Sequence, residues 1–175
     1  MQTLPDHLRY TTGHCQFGGF LLAVCAAGTA AILLGDDDGA MVADLQQRFP
    51  KATLEEDRTG LQQDMQTLLH YVDHPLGKLN LQHPLAAHGS AFQKKVWAEL
   101  AKVPAGQTIT YTELAKRIGN PAAVRAVAGA CAANPLAMVV PCHRVLRSDG
   151  GISGYRWGVE RKKKLIELER RLAGG

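Results

Sequence analysis

Four cysteines are spread over 175 residues, and no two of them form a CxxC pair. That spacing excludes a zinc knuckle and a dithiol redox motif. A chain of this size needs no disulfide staple either, so Cys15, Cys25, Cys131 and Cys142 are expected as reduced thiols. Long apolar runs are also missing. The longest, Phe20 to Leu34, is broken by Gly28 and Thr29 and is too short to span a bilayer. It has no basic lead and sits late for a signal peptide. A hairpin of two buried strands is expected there, in a cytoplasmic protein without a membrane partner. The acidic run Asp36 to Asp38 lacks the spacing and the glutamate of a calcium loop and reads as a solvated turn. Acid is scarce in the second half of the chain. Residues 88–175 hold 6 Asp/Glu against 15 Lys/Arg, whereas residues 1–87 hold 10 against 5. The halves thus carry −5 and +9, and a basic half is what a polyanion-binding surface requires.

The remaining composition, 46% hydrophobic and 21% charged, is that of a globular chain with a sizeable core. Its length suits one large domain or two small ones. The first half reads as mixed α/β. Strands are expected at "LRYTTGH" and within Phe20 to Leu34. Met41, Val42, Leu45 and Phe49 share one face of a helix, and Leu61, Met65, Leu68, Leu69 and Val72 share one face of another. "LGKLNLQHP" alternates like a strand. Pro75, Gly77, Pro84 and Gly89 mark a joint, which divides the chain into domains at 1–86 and 87–175.

The second half opens with Ser90 and Gln93 in capping-box spacing ahead of Phe92, Val96, Trp97 and Leu100 on one face. Pro104 ends that helix. Thr110 and Glu113 make a second capping box, and Gly119 sits where a helix C-terminal glycine belongs. Pro121 suits the first turn of a following helix, in which Val124, Val127, Ala128 and Cys131 recur at i, i+3, i+4 and i+7. Two short helices joined by a tight glycine-containing turn predict a helix-turn-helix. Arg125 lies off the apolar face near the start of the second helix, where a cation opposes the macrodipole.

"LAMVVPCHRV" then predicts a buried extended segment bent by Pro141, with Cys142 at the rim of the core. A thiol attacks only as thiolate, so it needs a base or a nearby positive charge. His143 and Arg144 are such groups, although adjacent side chains in an extended or turn segment point apart. A histidine base needs an orienting acceptor, and the C-terminal helix offers Glu160, Glu167 and Glu169. Spacing alone does not choose among them. Cys131 on its helical face, and Cys15 and Cys25 in the strand region, read as structural.

"PCHRV", preceded by "AANP" and followed by "SGYRWGVERKKKLIELE", resembles the O6-alkylguanine-DNA alkyltransferases. So does "FQKKVWAELAKVPAGQTITYTELAKRIGNPAAVRAVAGACAANP", and the likeness is strongest to the C-terminal half of Ada-type members. The first half is similar to the family more weakly. The resemblance implies an α/β (α+β) fold, with a ribonuclease H-like N-terminal domain and a helical domain bearing a winged helix-turn-helix. It implies direct, single-turnover repair, in which Cys142 takes the alkyl group of O6-alkylguanine from double-stranded DNA, with O4-methylthymine as a second candidate lesion. In this family the helix-turn-helix lies in the minor groove and the target base is flipped out. Position by position, His143 matches the water-linked base and Glu169 the glutamate that orients it. Asn134 matches the asparagine that braces the site. Tyr111 matches the tyrosine that rotates the nucleotide and protonates the leaving guanine. Arg125 matches the finger that fills the gap in the duplex, with Ala123 and Ala126 beside it on the DNA-binding face. Tyr155, Arg156 and Val145 match pocket positions. No cofactor is implied. Some relatives carry a structural zinc, and Cys25 matches one ligand, but no convincing partner set exists, so no metal is expected. Ada-type members also carry a zinc-bearing transcriptional region that precedes the stretch matched here, so the resemblance leaves a regulatory role open. The expected active form is a monomer.

Two other classes compete. A recognition-only DNA binder of the alkyltransferase-like type replaces the acceptor cysteine, whereas Cys142 is present here. A papain-like hydrolase separates its cysteine from its histidine and has no duplex-binding helix pair. Arg156 and Trp157 follow the pocket position Tyr155 and are expected to narrow the pocket, favouring methyl over benzyl groups.

Overall fold

The computed structural model describes residues 3–152 and 154–174. They form a mixed α/β chain of two compact units, Met1–His88 and Gly89–Gly175.

In the first unit, β1 (His7–Cys15), β2 (Gly18–Cys25) and β3 (Gly28–Gly35) form an antiparallel meander, and β4 (Thr53–Glu56) adds parallel to β1. The sheet order is β3-β2-β1-β4. The run Phe20 to Leu34 is the expected buried hairpin, with Phe20, Leu21, Leu22, Ile32 and Leu33 fully inaccessible. Helices α1 (Asp38–Arg48) and α2 (Gln62–Asp73) pack on the sheet through Met41, Leu45, Met65, Leu68 and Val72. Val42 and Leu69 are only half-buried.

The alternating stretch "LGKLNLQHP" is not a strand. It runs as coil from Leu76 to Pro84. Asp64, buried in α2, accepts from the Gln82 and His83 amides at 2.7 and 3.0 Å and from His83 Nδ1 at 2.8 Å. A carboxylate thus takes donors that a neighbouring strand would have taken. Conversely, β4 gives little periodic signal, because three of its four residues are exposed or polar.

The second unit is helical. Helix α3 (Ala91–Leu100) begins with a complete capping box between Ser90 and Gln93 and buries Val96, Trp97 and Leu100. Trp97 Nε1 donates to the Ala130 carbonyl at 2.9 Å, fixing α3 to α5 (Val124–Ala132). Helix α4 (Tyr111–Arg117) starts on half a capping box. The Thr110 hydroxyl accepts from the Glu113 amide, while the Glu113 carboxylate faces Arg117 at 3.6 Å. It ends in a Schellman turn. Gly119 at φ 82° donates to the Lys116 carbonyl, and Asn120 donates to that of Ala115. Pro121 lies in the turn after it rather than in α5, whose N-cap is Ala123. The buried face of α5 is Val127, Ala130 and Cys131, and Val124 and Ala128 are half-exposed.

Two short strands, β5 (Ile109–Thr110) and β6 (Val145–Leu146), pair in parallel. That ladder sets the start of α4 beside the turn Cys142–Arg144, which precedes β6 directly. Helix α6 (Val159–Gly174) closes the unit. Gly106 meets its C-terminal end at φ 91°, where a β-carbon would lie 2.4 Å from that of Ala173. No helix of the described residues is long and apolar enough to cross a membrane.

Candidate active site

The segment feeding Cys142 is buried, as expected, but it is a turn rather than extended chain. Val140 N–H returns to the Leu136 carbonyl at 3.0 Å, and Met138 takes φ 68°. Asn134, with no exposed surface, holds this turn together. Its Nδ2 donates to the carbonyls of Val140 at 2.9 Å and Leu136 at 3.2 Å, and its Oδ1 accepts the Leu136 amide at 2.9 Å. One amide side chain thereby pairs with three backbone groups, of which the Leu136 carbonyl also accepts from Val140. Pro141 leads into one turn of 3-10 helix, Cys142–Arg144. That turn is what separates the adjacent side chains of Cys142 and His143.

Cys142 lies at the wall of a cavity of about 530 Å³, together with Tyr111, Ala128, Cys131, Tyr155 and Arg156. Cys142 itself is nearly buried in that wall, at 4% exposure. Burial, followed by the neighbouring Cys131 thiol, pushes the Cys142 thiol well above its usual range, while Asn134 and Lys162 pull it back. At rest it is a neutral thiol.

His143 is buried behind it. Its Nε2–H is directed at Glu169 Oε1, and Nδ1 has no hydrogen-bond partner among the described residues. Burial holds the imidazole below the ordinary histidine range despite the facing Glu169. The ring is therefore neutral near pH 7, with Nε2 protonated and Nδ1 carrying a lone pair. Glu169 is the acceptor that spacing left open, while Glu160 and Glu167 face solvent. Burial alone would raise its carboxyl. Hydrogen bonds and charge from His143 and Arg144 outweigh that and bring it down to about 2.

Arg144 does not serve the thiol directly. Its Nε donates to Glu169 Oε2 at 2.8 Å, its Nη2 to Oε1 at 3.0 Å and its Nη1 to the Val103 carbonyl at 2.6 Å. It ties the Cys142 turn to α6 and to the loop after α3.

Lys162 was not singled out by its sequence. It is wholly buried on α6, and its Nζ has no hydrogen-bond partner among the described residues. The ammonium stands 5.9 Å from the centre of the Tyr111 ring and acts on both Cys131 and Cys142. The signal was present in the register. Leu165 and Ile166 face the core, and the same helical face reaches Lys162 and Glu169 at i and i+7.

Tyr155 lines the cavity, edge-on to His143 at 6.5 Å and to Trp157 at 5.3 Å. Its hydroxyl is buried without a partner among the described residues, and burial keeps it a neutral phenol. Ser153, in the same loop, lies outside the described residues. Val145 is fully buried in β6 and is not part of the cavity wall. Arg125 and Ala126 are exposed near the start of α5, with Ala123 half-buried before them. In the first unit, Cys25 and His88 share a second cavity. No group of three or more His, Cys, Asp or Glu suited to a metal occurs among the described residues.

Comparison with known proteins supplies a frame for this geometry. Residues 91–171 match the model for the DNA-binding domain of 6-O-methylguanine DNA methyltransferases. The bifunctional transcriptional activator/DNA repair enzyme Ada of Escherichia coli is 46% identical over 162 residues, covering 93% of this chain and 45% of its own length. The inducible methylated-DNA–protein-cysteine methyltransferase of Bacillus subtilis is 42% identical over 127 residues, 72% of this chain and 69% of its own. Among solved structures, the Mycobacterium tuberculosis protein OGT in complex with DNA superposes with a TM-score of 0.76 at 31% identity, covering 94% of this chain and 93% of that one. The chain spans less than half the length of its Escherichia coli relative.

Proposed function

The chain belongs to the methylated-DNA–protein-cysteine methyltransferase family, and from that premise we propose that it repairs O6-alkylguanine in duplex DNA by moving the alkyl group onto Cys142. The observation that carries the reading is the stack of Cys142, His143, Glu169 and Arg144, which leads from an open cavity into the core. A resting neutral thiol beside a neutral imidazole is the arrangement that general-base activation requires.

The chemistry is a displacement at carbon. His143 Nδ1 takes the Cys142 proton through a water, and the ionised Glu169 stabilises the imidazolium that results. The Lys162 ammonium offsets the thiolate charge. The thiolate attacks the alkyl carbon. The carbon–sulfur bond forms as the carbon–O6 bond breaks, and the electron pair passes into guanine. The Tyr155 hydroxyl donates to O6 as that charge develops, and Tyr111 relays a proton to the departing base. The thioether is stable and no residue of the cavity is equipped to remove it, so each molecule acts once.

Such a thiol cannot meet O6 inside the base stack, so the nucleotide is turned out into the cavity. In this reading α4 and α5 form the helix-turn-helix of a winged motif, with the turn around Arg147 to Gly151 as wing. The small residues Ala123 and Ala126 let α5 approach the minor groove, and Arg125 enters the vacated space. The first unit is the ribonuclease H-like domain, the domains are 1–86 and 87–175, and the protein acts as a cytoplasmic monomer.

The test is mass spectrometry after mixing the protein with duplex DNA that holds one O6-methylguanine. One methyl on the Cys142 peptide, with transfer stopping at one per molecule, is expected. Tight binding to the lesion without transfer overturns the reading in favour of recognition alone.

A further inference from the structure

The cavity holds a second sulfur that the methyl reaction does not use. Cys131 projects from α5 into the same wall as Cys142, and the two are 6% and 4% exposed. Their thiols are close enough for a direct side-chain interaction. Both are free thiols, and they share the wall with Ala128 and Ala132 as well as the polar Tyr111, Tyr155 and Arg156. A second nucleophile thus sits beside the acceptor in the same cavity wall.

We propose that the site carries out a second, intramolecular transfer when the group on guanine O6 is a two-carbon chain bearing a leaving group, such as a 2-haloethyl. The product is an ethylene bridge joining Cys142 to Cys131. The inference rests on Cys142 being the alkyl acceptor. In the first step the Cys142 sulfur takes the carbon from O6 and guanine departs with the electron pair and a proton. The new thioether sulfur then displaces halide from the far carbon, forming a three-membered sulfonium ring. Cys131 attacks one ring carbon, the strained carbon–sulfur bond breaks and its electron pair returns to the Cys142 sulfur. The Cys131 proton leaves by way of His143 Nδ1, whose first proton has gone to guanine. In sum, two thiols and one haloethyl ether give a dithioether, guanine and hydrogen halide.

Two physical arguments favour Cys131 over the alternatives. An oriented neighbouring nucleophile reaches effective molarities of about 10⁵ M or more, far above the concentration of any solvent nucleophile. A disulfide would draw the sulfurs to about 2.05 Å, whereas two intervening carbons let them stay at a non-bonded separation. The consequence is protective. The sulfonium ion is consumed inside the protein before it can attach the repaired DNA to Cys142.

The experiment runs two arms with the whole chain. One uses duplex DNA with O6-methylguanine, the other duplex DNA with freshly prepared O6-(2-chloroethyl)guanine. After denaturation, free thiols are labelled with iodoacetamide and the peptides mapped. Of the four cysteines, three are expected to label in the methyl arm and two in the chloroethyl arm. In the latter, the Cys131 and Cys142 peptides are expected to be joined by two carbons. Hydroxyethyl on Cys142, or DNA attached to Cys142, with Cys131 still free, overturns the bridge alone. No methyl on Cys142 in the first arm overturns the acceptor reading and the bridge with it.

Discussion

Arg144 grips both oxygens of Glu169, and His143 shares one of them. The three side chains are almost wholly buried, at 6%, 2% and 1% exposure. Removing Arg144 or Glu169 therefore leaves a buried charge without its ion-pair partner. Arg144→Ala should cost about 3–5 kcal/mol of stability, read from urea unfolding. Glu169→Gln keeps the shape but not the charge that steadies the imidazolium. Its methyl transfer should slow by about 10²-fold while binding of lesion-bearing duplex is retained. Transfer at full rate by Glu169→Gln would remove the proton-relay role.

The same cluster makes the fold sensitive to acid. Glu169 titrates near 2 in the folded chain and in the usual carboxylate range when unfolded. Its contribution is complete above that ordinary range and is lost as pH falls toward 2. His143 is lowered by burial, so the unfolded chain takes up its proton first, near pH 6.5. Both effects have one sign. The urea midpoint should decline as pH drops below about 6.5, and more steeply below about 4.5. A midpoint that is flat from pH 7 to 4 would contradict the buried pair.

Lys162 separates stability from reactivity. A buried ammonium whose neighbours include the Tyr111 ring, His143 and two thiols is costly to hold. Lys162→Met keeps the length and removes the charge, so thermal stability should stay level or rise. The Cys142 thiolate loses the cation that pulls its thiol downward in that variant. Methyl transfer should fall at neutral pH and recover as pH rises. A variant that transfers with an unchanged pH profile would make Lys162 a packing residue only.

Much of this site could be read from the chain because its parts are local. The capping residues Ser90 and Thr110, Gly119 and the Pro141 bend act within a few residues of themselves, and each does so in the structure. What could not be read depends on distant partners. Glu169 differs from Glu160 and Glu167 only in which face of α6 it occupies and what lies against that face. Arg144 looked like a cation for the thiol because it is two residues away, yet the 3-10 turn aims it at α6 instead. "LGKLNLQHP" has a strand's alternation, but Asp64 takes the amides of Gln82 and His83, and the bridge to Thr29 at the edge of β3 forms just beyond it, at Leu85.

Cavity shape bears on the lesion taken. The space beside Cys142 is about 530 Å³, and Arg156 stands in its wall next to Tyr155. In the proposed reaction Arg156, in the wall next to Tyr155, is expected to hinder a benzyl group more than a methyl group. Methyl transfer should be much faster than benzyl transfer, and Arg156→Gly should narrow the gap. Equal rates in the unaltered chain would show that the wall yields freely.

Arg125 tests whether the base is turned out by this helix. It is exposed, off the buried face of α5, and lies in the first turn, where a cation opposes the macrodipole. Nothing inside the fold requires it, so Arg125→Ala should unfold within about 0.5 kcal/mol of the parent. Its effect should show only where a duplex must be opened. Transfer from O6-methylguanine in duplex DNA should slow by tenfold or more, while reaction with the free modified base stays unchanged. Binding by the parent chain should weaken as salt rises, because the basic half displaces counterions from phosphates, with little preference for flanking sequence. If duplex and free base slow together, the residue supports the fold of α5 and not the extrusion of the base.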